Sequence, residues 1–392
     1  MKNLVFFDSG HRSDLLPLTY TRPMADLRIG GLTIAEKWGA RLHGTISYRT
    51  QAYLQPRYPV ILTEDNWFIN GGVIPNDELA AQVAQLTHGQ GLRDEHGAIA
   101  YRTSQDKSES IPQDISWRDL EEPISRLRNT CDIFSLNPQE IQTDFDWLTK
   151  GKTTQDIPEI VQCSDHSRVF IAENTNIEHC VFNTSDGPIY IGQGAHIMEG
   201  ALLRGPLFIA NNSVIKMGAK IYGGTTIGPY CKAGGEIGNS VMMGYSNKGH
   251  DGFMGNSVLG YWCNIGADTN TSNLKNNYDQ VRLWNYDQER FAHTDLQFCG
   301  LIMGDHSKCA INTMFNTGTV VGVSANVFGA GFPKNFIPSF SWGGVSNTKT
   351  YTLNKAIETA KRVMQRRGIE WSSEDQIIFE AIFDASKSWR RD

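Results

Sequence analysis

The chain has 392 residues, of which 40% are hydrophobic and 20% are charged, and its formal net charge is -6. This composition excludes a disordered chain and offers no basic surface for nucleic acid, and the length allows two or three domains. Seven cysteines without a CxxC pair fit free thiols in a reducing compartment rather than a zinc site. No apolar stretch approaches membrane-spanning length, and the N-terminal apolar run is too short for a signal peptide. We therefore expect a cytoplasmic protein without a membrane or nucleic-acid partner.

The first 160 residues alternate strand-like and helix-like segments. Strands are predicted at LVFF, PVILTED and NWFING, and helices at GGLTIAEKWGARL and NDELAAQVAQL. Strands that alternate with helices are typical of an α/β sheet. The sequence therefore predicts an α/β domain over residues 1–160.

A hexapeptide repeat dominates residues 165–345, which we predict to be a second domain. Aliphatic residues recur at every sixth position from Ile191 to Ile227, and the turns between them are rich in Gly and Asn. A period of six fits neither an α-helix nor a single strand. It predicts a left-handed parallel β-helix, in which three short strands make one coil and inward residues stack about 18 positions apart. The spacing returns later at Ile237, Met243, Phe253, Leu259, Ile265, Met303, Cys309, Phe315, Val321 and Val327.

Two stretches interrupt this repeat. One lies between Met243 and Phe253 and reads GYSNKGHDG, and a longer one runs from about Thr271 to Met303. A solenoid tolerates insertions only as loops that leave its face, and such loops commonly build the binding site. We therefore expect the chemistry of this domain at the interruptions.

Residues 350–392 are predicted to form a C-terminal helical segment. Two amphipathic helices are expected at LNKAIETAKRVMQRR and SSEDQIIFEAIFDAS. The second opens with Ser and acidic residues, which favour a helix N-terminus.

The order of these parts resembles the family of bifunctional N-acetylglucosamine-1-phosphate uridyltransferases and glucosamine-1-phosphate N-acetyltransferases, in a compact variant with a shortened head. The similarity is carried by GPIYIG, NKGHDGFMG, NIGADTNTSNLKNNY and MFNTGTVVGVSANVFG. It implies that acetyl-CoA acetylates glucosamine 1-phosphate and that a uridylyl group is then transferred, giving UDP-N-acetylglucosamine. It also implies a homotrimer, because one solenoid face alone leaves the pantetheine chain of coenzyme A exposed.

The resemblance places the catalytic residues of acetyl transfer at the interruptions. His250 lies where the family has its proposed catalytic base, and an ordinary imidazole, with a pKa of about 6.5, suits a group that accepts the amine proton. Asn264 and Asn273 are expected to orient the amine or donate to the thioester oxygen. The alternatives are a solvated loop histidine and asparagines that serve only the solenoid turns.

Recognition of the sugar phosphate requires converging cations. The substrate-binding candidates are Lys248, Lys275, Lys216 and Lys232. Basic residues near the C-terminus are further candidates, for the phosphates of coenzyme A, although a basic helix end also suits the helix dipole. These residues are Arg366, Arg367, Arg390 and Arg391.

The segment VFFDSGHRSDLLPLTYTRP resembles the start of sugar-phosphate nucleotidyltransferases. The resemblance assigns nucleotide binding to Gly10, Arg12 and Arg22. Arg22 and Arg28, together with Asp8 or Asp26 as the Mg²⁺ ligand, are the candidates to substitute for two family residues that this chain lacks. Met24 stands where the family has a lysine, and Gly72 stands where it has a metal-binding aspartate. Three alternatives follow for the head: an active enzyme with substitute residues, a nucleotide-binding domain without turnover, or a structural remnant.

Two other functions compete with the bifunctional enzyme. One is a sugar-1-phosphate nucleotidyltransferase whose β-helix is only a trimerisation scaffold, and the other is a non-catalytic assembly module. Binding of coenzyme A separates the first from the leading hypothesis. Binding of any small molecule would distinguish an enzyme from the non-catalytic assembly module.

Overall fold

The computed structural model describes residues 2–104, 111–345 and 348–390, and the chain forms two compact units. The first unit comprises Met1–Leu15, Thr21–Leu27 and Leu32–Asn129. The second comprises Leu16–Tyr20, Arg28–Gly31 and Thr130–Asp392. Among the described residues, no helix is both long enough and apolar enough to cross a membrane. All seven cysteines are free thiols.

The first unit is built on a mixed six-stranded sheet. Its strands are β1 (Lys2–Phe7), β2 (Gly44–Arg49), β3 (Asn66–Asn70), β4 (Gln90–Asp94), β5 (Gly97–Thr103) and β6 (Ser116–Asp119). The order across the sheet is β2-β1-β3-β5-β4-β6, with β1 parallel to β2 and β3 and with β5 antiparallel to β3 and β4. Helices α1 (Ile34–Leu42) and α2 (Asp77–Ala84) complete the unit. The predicted α/β sheet and both predicted helices are confirmed.

The strand predicted at PVILTED is wrong. Residues 59–65 form no strand, and Val60 and Ile61 are exposed. The carbonyl of Ile61 accepts hydrogen bonds from the Asn3 amide at 2.7 Å and from the Ser47 hydroxyl at 3.3 Å. Because side chains occupy an acceptor that a sheet ladder would need, the apolar run does not extend the sheet.

A buried ion pair in the first unit provides a stability prediction. Arg126 pairs with Asp94 of β4, and their side chains are only 5% and 8% exposed. Asp94→Asn leaves the guanidinium buried without its anion, so we expect the free energy of unfolding in urea to fall by about 3–5 kcal/mol. Asp119→Asn is the control, because it breaks the exposed Arg93–Asp119 pair and should cost less than about 1 kcal/mol. Equal losses in the two variants would contradict this ranking.

The second unit contains a β-helix made of three parallel sheets, and most coils contribute one short strand to each sheet. The strands of the first sheet are Val169–Ile171, Ile189–Ile191, Leu207–Ile209, Thr225–Ile227, Val241–Gly244, Val258–Tyr261, Leu301–Met303, Thr319–Val321 and Phe336–Ile337. Those of the second are Asn176–Ile177, His196–Ile197, Val214–Ile215, Lys232–Ala233, Asn247–Lys248, Lys308–Cys309, Asn326–Val327 and Ser341–Trp342, with Lys349–Thr350 antiparallel at the edge. Those of the third are Gln162–Cys163, Val181–Asn183, Leu202–Arg204, Lys220–Ile221, Glu236–Gly238, Phe253–Gly255, Asn270–Thr271 and Met314–Phe315.

The register of the coils follows the repeat. Ile191 pairs with Ile209, which pairs with Ile227, and all seven aliphatic residues of the predicted run are at most 2% exposed. Stacked inward residues therefore form one continuous core along the solenoid. The left-handed β-helix predicted from the sequence is confirmed.

The phase of the repeat shifts near the first interruption. Ile227 pairs with Met242, and Ile237 pairs with Met254. The core therefore takes Met242 and Met254 at the positions where the spacing predicted Met243 and Phe253. The coils are shorter here. A strict period of six counted along the sequence therefore falls on the residue next to the one that points into the core.

Within the described residues, three α-helices and one hairpin complete the second unit. The predicted C-terminal helices are confirmed as α4 (Leu353–Gln365) and α5 (Ser373–Ala385), and α5 begins with a capping box formed by Ser372 and Asp375. The second interruption contains a hairpin of Arg282–Asn285 and Arg290–His293. Helix α3 (Asp132–Thr149) was not predicted, because Pro138 and several buried polar residues obscure its apolar period.

Candidate functional site

A cleft of about 730 Å³ lies on the outer face of the second sheet of the β-helix. Four outward side chains on consecutive coils form its floor, because parallel strands stack equivalent positions next to each other. They are Lys232, Asn247, Asn264 and Lys308. The end of α4 forms one wall, and the loop of the first interruption, with His250, forms another.

An aromatic column flanks the cleft at the corner that leads into the second sheet. Tyr230, Tyr245 and Trp262 have φ values of 58°, 54° and 64°, in the left-handed region. Their rings stack with centroids 4.7 Å and 4.3 Å apart. A non-glycine residue in the left-handed region destabilises the fold by about 1–2 kcal/mol. A stacked aromatic pair stabilises it by about 0.5–1.5 kcal/mol. Tyr245 and Trp262 therefore give the cleft an ordered apolar wall.

Four cations converge at one end of the cleft, and we call them the cation cluster: Lys216, Lys232, Arg366 and Arg367. The pKa of Lys232 is lowered by partial burial first, and then by the positive charges of Arg367, Lys216 and Arg366. Arg367 also donates to the Asn247 side-chain oxygen at 2.9 Å, which fixes its guanidinium at the cleft. None of the described residues that line the cleft is acidic. Repelling cations without a carboxylate are arranged to receive an anion.

His250 and Asn264 are exposed residues of this cleft. Asn264 accepts a hydrogen bond from the Asn247 amide at 3.4 Å, so the two amides lie side by side on the floor. Of the catalytic and substrate-binding residues proposed from the sequence, the structure therefore places His250, Asn264, Lys216 and Lys232 in one cleft.

Asn273 and Lys275 do not line the cleft. The Asn273 amide donates to Asn256 at 2.8 Å, at the corner that leads back into the first sheet. The Lys275 ammonium donates to the Gln280 carbonyl at 2.5 Å, within the second interruption. Their assignments to the site remain predictions that this geometry does not support.

The C-terminal arginines also lie in different places, and only some of them line the cleft. Arg366 and Arg367 line the cleft of their own chain. Arg390 instead donates to the Ser386 hydroxyl at 2.6 Å and to the Phe383 carbonyl at 2.7 Å, beside the end of α5. Arg391 lies outside the described residues.

Lys248 points into the β-helix and not into the cleft. It pairs with the inward Ala233 and is 1% exposed. Its ammonium donates to the carbonyls of Gly234 at 3.1 Å, of Asp251 at 3.3 Å and of His250. All three ammonium protons therefore have acceptors. Lys248 supports the His250 loop from inside, which corrects its assignment as a phosphate ligand.

Burial lowers the pKa of Lys248 to about 8, below the value of about 10.4 that an unfolded chain gives a lysine. Between these values the unfolded state binds more protons, so the contribution of Lys248 to stability rises with pH. We expect the unfolding free energy of the wild type, minus that of Lys248→Met, to increase by about 2 kcal/mol from pH 8 to pH 10. Urea denaturation of both proteins measures it, since other titrating groups cancel in the difference. A constant difference would contradict the lowered pKa.

Asp8 is the centre of a polar network in the first unit. Its carboxylate accepts from the Met24 amide at 2.8 Å and the Thr50 hydroxyl at 2.5 Å, and it pairs with Arg12 at 3.3 Å. Burial raises the pKa of Asp8 despite these partners. Protein donors contact both oxygens of Asp8, and its assignment as a Mg²⁺ ligand remains a prediction. Arg12 is also engaged, since it donates to the Tyr53 hydroxyl at 2.8 Å.

The other residues predicted for the head are dispersed. Gly10 begins a short 3-10 helix, and Asp26 accepts from the Tyr58 hydroxyl at 3.1 Å. Arg22 is buried and donates to the Thr21 hydroxyl at 3.3 Å.

Arg28 is not part of the first unit. Its guanidinium donates to the Met243 carbonyl at 3.3 Å and to the Gly31 carbonyl at 2.5 Å, in the second unit. This corrects its assignment to nucleotide binding, because the side chain holds the backbone of the second unit instead.

The chain therefore combines an α/β unit with a hexapeptide-repeat β-helix that carries a cation-lined cleft. Residues 4–153 match the sugar nucleotidyl transferase family. The chain is 25% identical over 262 residues to the bifunctional protein GlmU of Methanocaldococcus jannaschii. The alignment covers 65% of this chain and 54% of that protein, so the chain spans about half the length of the curated relative that it matches. The resemblance predicted from the sequence is confirmed.

Solved structures that are similar to this chain are more distant. A UDP-N-acetylglucosamine acyltransferase from Francisella novicida is 14% identical with a TM-score of 0.31, over 57% of this chain and 78% of that one. The UDP-N-acetylglucosamine acyltransferase from Campylobacter jejuni is 13% identical with a TM-score of 0.28, over 59% and 80%.

Proposed function

We propose that the protein transfers an acyl group from an acyl-coenzyme A to the amine of an amino-sugar phosphate, as a step of sugar-nucleotide biosynthesis. Acetyl-CoA and glucosamine 1-phosphate are the pair that the resemblance implies. The observation that carries the proposal is the exposed His250 imidazole in the same cleft as the cation cluster. A base beside an anion site suits a substrate that has both an amine and a phosphate.

The residues of the cleft have distinct roles in this reaction. The cation cluster binds the sugar phosphate and orients the amine towards the thioester. As the amine attacks the thioester carbonyl, the C–N bond forms, the C–S bond breaks and coenzyme A leaves as the thiolate. His250 accepts the proton that leaves the nitrogen, and the Asn264 amide donates to the oxygen on which charge develops.

Nucleotidyl transfer by the first unit is a separate part of the proposal. The family match over residues 4–153 supports it. Pyrophosphate release from UTP and N-acetylglucosamine 1-phosphate tests this activity, and no release with any nucleoside triphosphate would favour a binding domain or a remnant.

The release of free thiol from acetyl-CoA in the presence of glucosamine 1-phosphate tests acyl transfer directly. We expect thiol release that depends on both substrates and that saturates with each. If no thiol is released and calorimetry detects no binding of coenzyme A, the β-helix is a scaffold and the proposal fails. The expected homotrimer is tested by sedimentation of the full chain.

A further inference from the structure

Lys308 lies on the cleft floor, at the opposite end of the outward row from the cation cluster. It is the cross-strand neighbour of Asn264, which neighbours Asn247, which neighbours Lys232. Strands are about 4.8 Å apart in such a sheet, so the main chains of Lys232 and Lys308 are about 14 Å apart. The two lysines therefore present positive charge at two separate places in one cleft.

The ammonium of Lys308 is half-buried and has few partners among the described residues. In the part of the chain that the structure describes, it donates to one acceptor, the His306 carbonyl at 2.7 Å, and pairs with no carboxylate. Residues of α4 such as Ala360 cover it, and this burial lowers the pKa of Lys308 to about 8. Lys248, by contrast, has an acceptor for each proton. The Lys308 ammonium is half-buried at the cleft floor and has N–H donors without a protein acceptor in the described part of the chain. Such a group is suited to bind an anion.

We propose that Lys308 is a specificity-determining residue that binds a carboxylate at the far end of the transferred acyl group. The acyl donor is then a coenzyme A thioester of a short dicarboxylic acid, with succinate as the test case. This inference rests on the proposed acyl transfer and changes its acyl group from acetyl. With the sugar phosphate on the cation cluster and the amine near His250, a four-carbon acyl chain extends along Asn264 towards Lys308. An acetyl group ends earlier and leaves the lysine without an anion.

The chemistry is the same amide-forming step with a different acyl chain. The amine nitrogen forms a bond to the thioester carbon, the C–S bond breaks, and His250 takes the amine proton. The distal carboxylate takes no part in bond making and remains free in the product, so no oxidant or further reactant is required.

The test compares thioesters that differ at the distal group. Succinyl-CoA and butyryl-CoA both carry four-carbon acyl chains, but butyryl has a methyl group in place of the carboxylate. With glucosamine 1-phosphate and the full chain, we expect kcat/KM from thiol release to favour succinyl-CoA by at least about tenfold over butyryl-CoA and acetyl-CoA, as for one charge-assisted hydrogen bond. In Lys308→Met, the ratio of succinyl to butyryl should fall to about one. Lys308→Gln provides the same test if the methionine variant does not fold.

Lys220→Met is the matched control, because Lys220 is an exposed outward residue of the third sheet and lies outside the cleft. Its ratio should equal that of the wild type. A wild type that uses butyryl-CoA or acetyl-CoA as well as succinyl-CoA would overturn the inference and leave acyl transfer standing. If no thioester releases thiol, the proposed function fails instead. Calorimetry with succinyl-CoA and butyryl-CoA then tests whether Lys308 binds a carboxylate. Equal affinities for succinyl-CoA and butyryl-CoA would exclude a carboxylate site there.

Discussion

Replacing His250 by alanine is expected to lower kcat for acyl transfer by about 100- to 10,000-fold, the usual contribution of a positioned general base. The imidazole is exposed in the cleft, so its loss removes a proton acceptor without opening a core cavity. The protein should therefore keep its melting temperature. Thiol release at saturating acetyl-CoA and glucosamine 1-phosphate, or with succinyl-CoA, measures the effect.

His293→Ala is the matched control for this variant. His293 is also exposed, but it lies on the hairpin of the second interruption and not in the cleft. Its kcat should equal that of the wild type. Thiol release in His250→Ala at the wild-type rate would remove His250 from the mechanism, and the amine proton would then have to leave directly to water.

The β-helix could be predicted because its period is local and strict. From Ile191 to Ile227 every inward residue obeys it, and the structure buries all of them. The period fails where coils shorten, so the sequence did not show that Lys248 continues the inward row of Ile215 and Ala233. A count of short coils from Ala233 would have shown that Lys248 lies in phase with the core.

The candidate site could be predicted only in part, because a coil of about 18 residues turns the chain through three faces. Asn264 and Asn273 are nine residues apart, which is half a coil, and they lie at different places around the solenoid. Residues on one face of consecutive coils, such as Lys216 and Lys232, come together instead. Arg28 could not be placed from sequence, because its acceptor at Met243 is distant along the chain.

The double variant Lys232→Ala/Arg367→Ala is expected to weaken binding of glucosamine 1-phosphate by about 100-fold or more. Each charge-assisted hydrogen bond to the phosphate contributes about 1.5–3 kcal/mol, and about 2.7 kcal/mol corresponds to 100-fold in affinity. Burial first, and then the positive charges of Arg367, Lys216 and Arg366, lower the pKa of Lys232, so an arriving anion relieves an unfavourable concentration of charge in the free cleft. Calorimetry gives the dissociation constants, and affinity should also fall in the wild type as salt is raised.

Lys220→Ala/Lys361→Ala removes the same net charge from exposed positions outside the cleft. If the effect of the cluster depends on local geometry, this control should bind the sugar phosphate within about twofold of the wild type, because neither lysine lines the cleft and exposed charges are screened by solvent and salt. Equal losses in the two double variants would mean that only the overall charge of the protein matters. Unchanged affinity in Lys232→Ala/Arg367→Ala would exclude the cluster as the phosphate site. The Arg367 hydrogen bond to Asn247 would then serve only to hold the end of α4 against the second sheet.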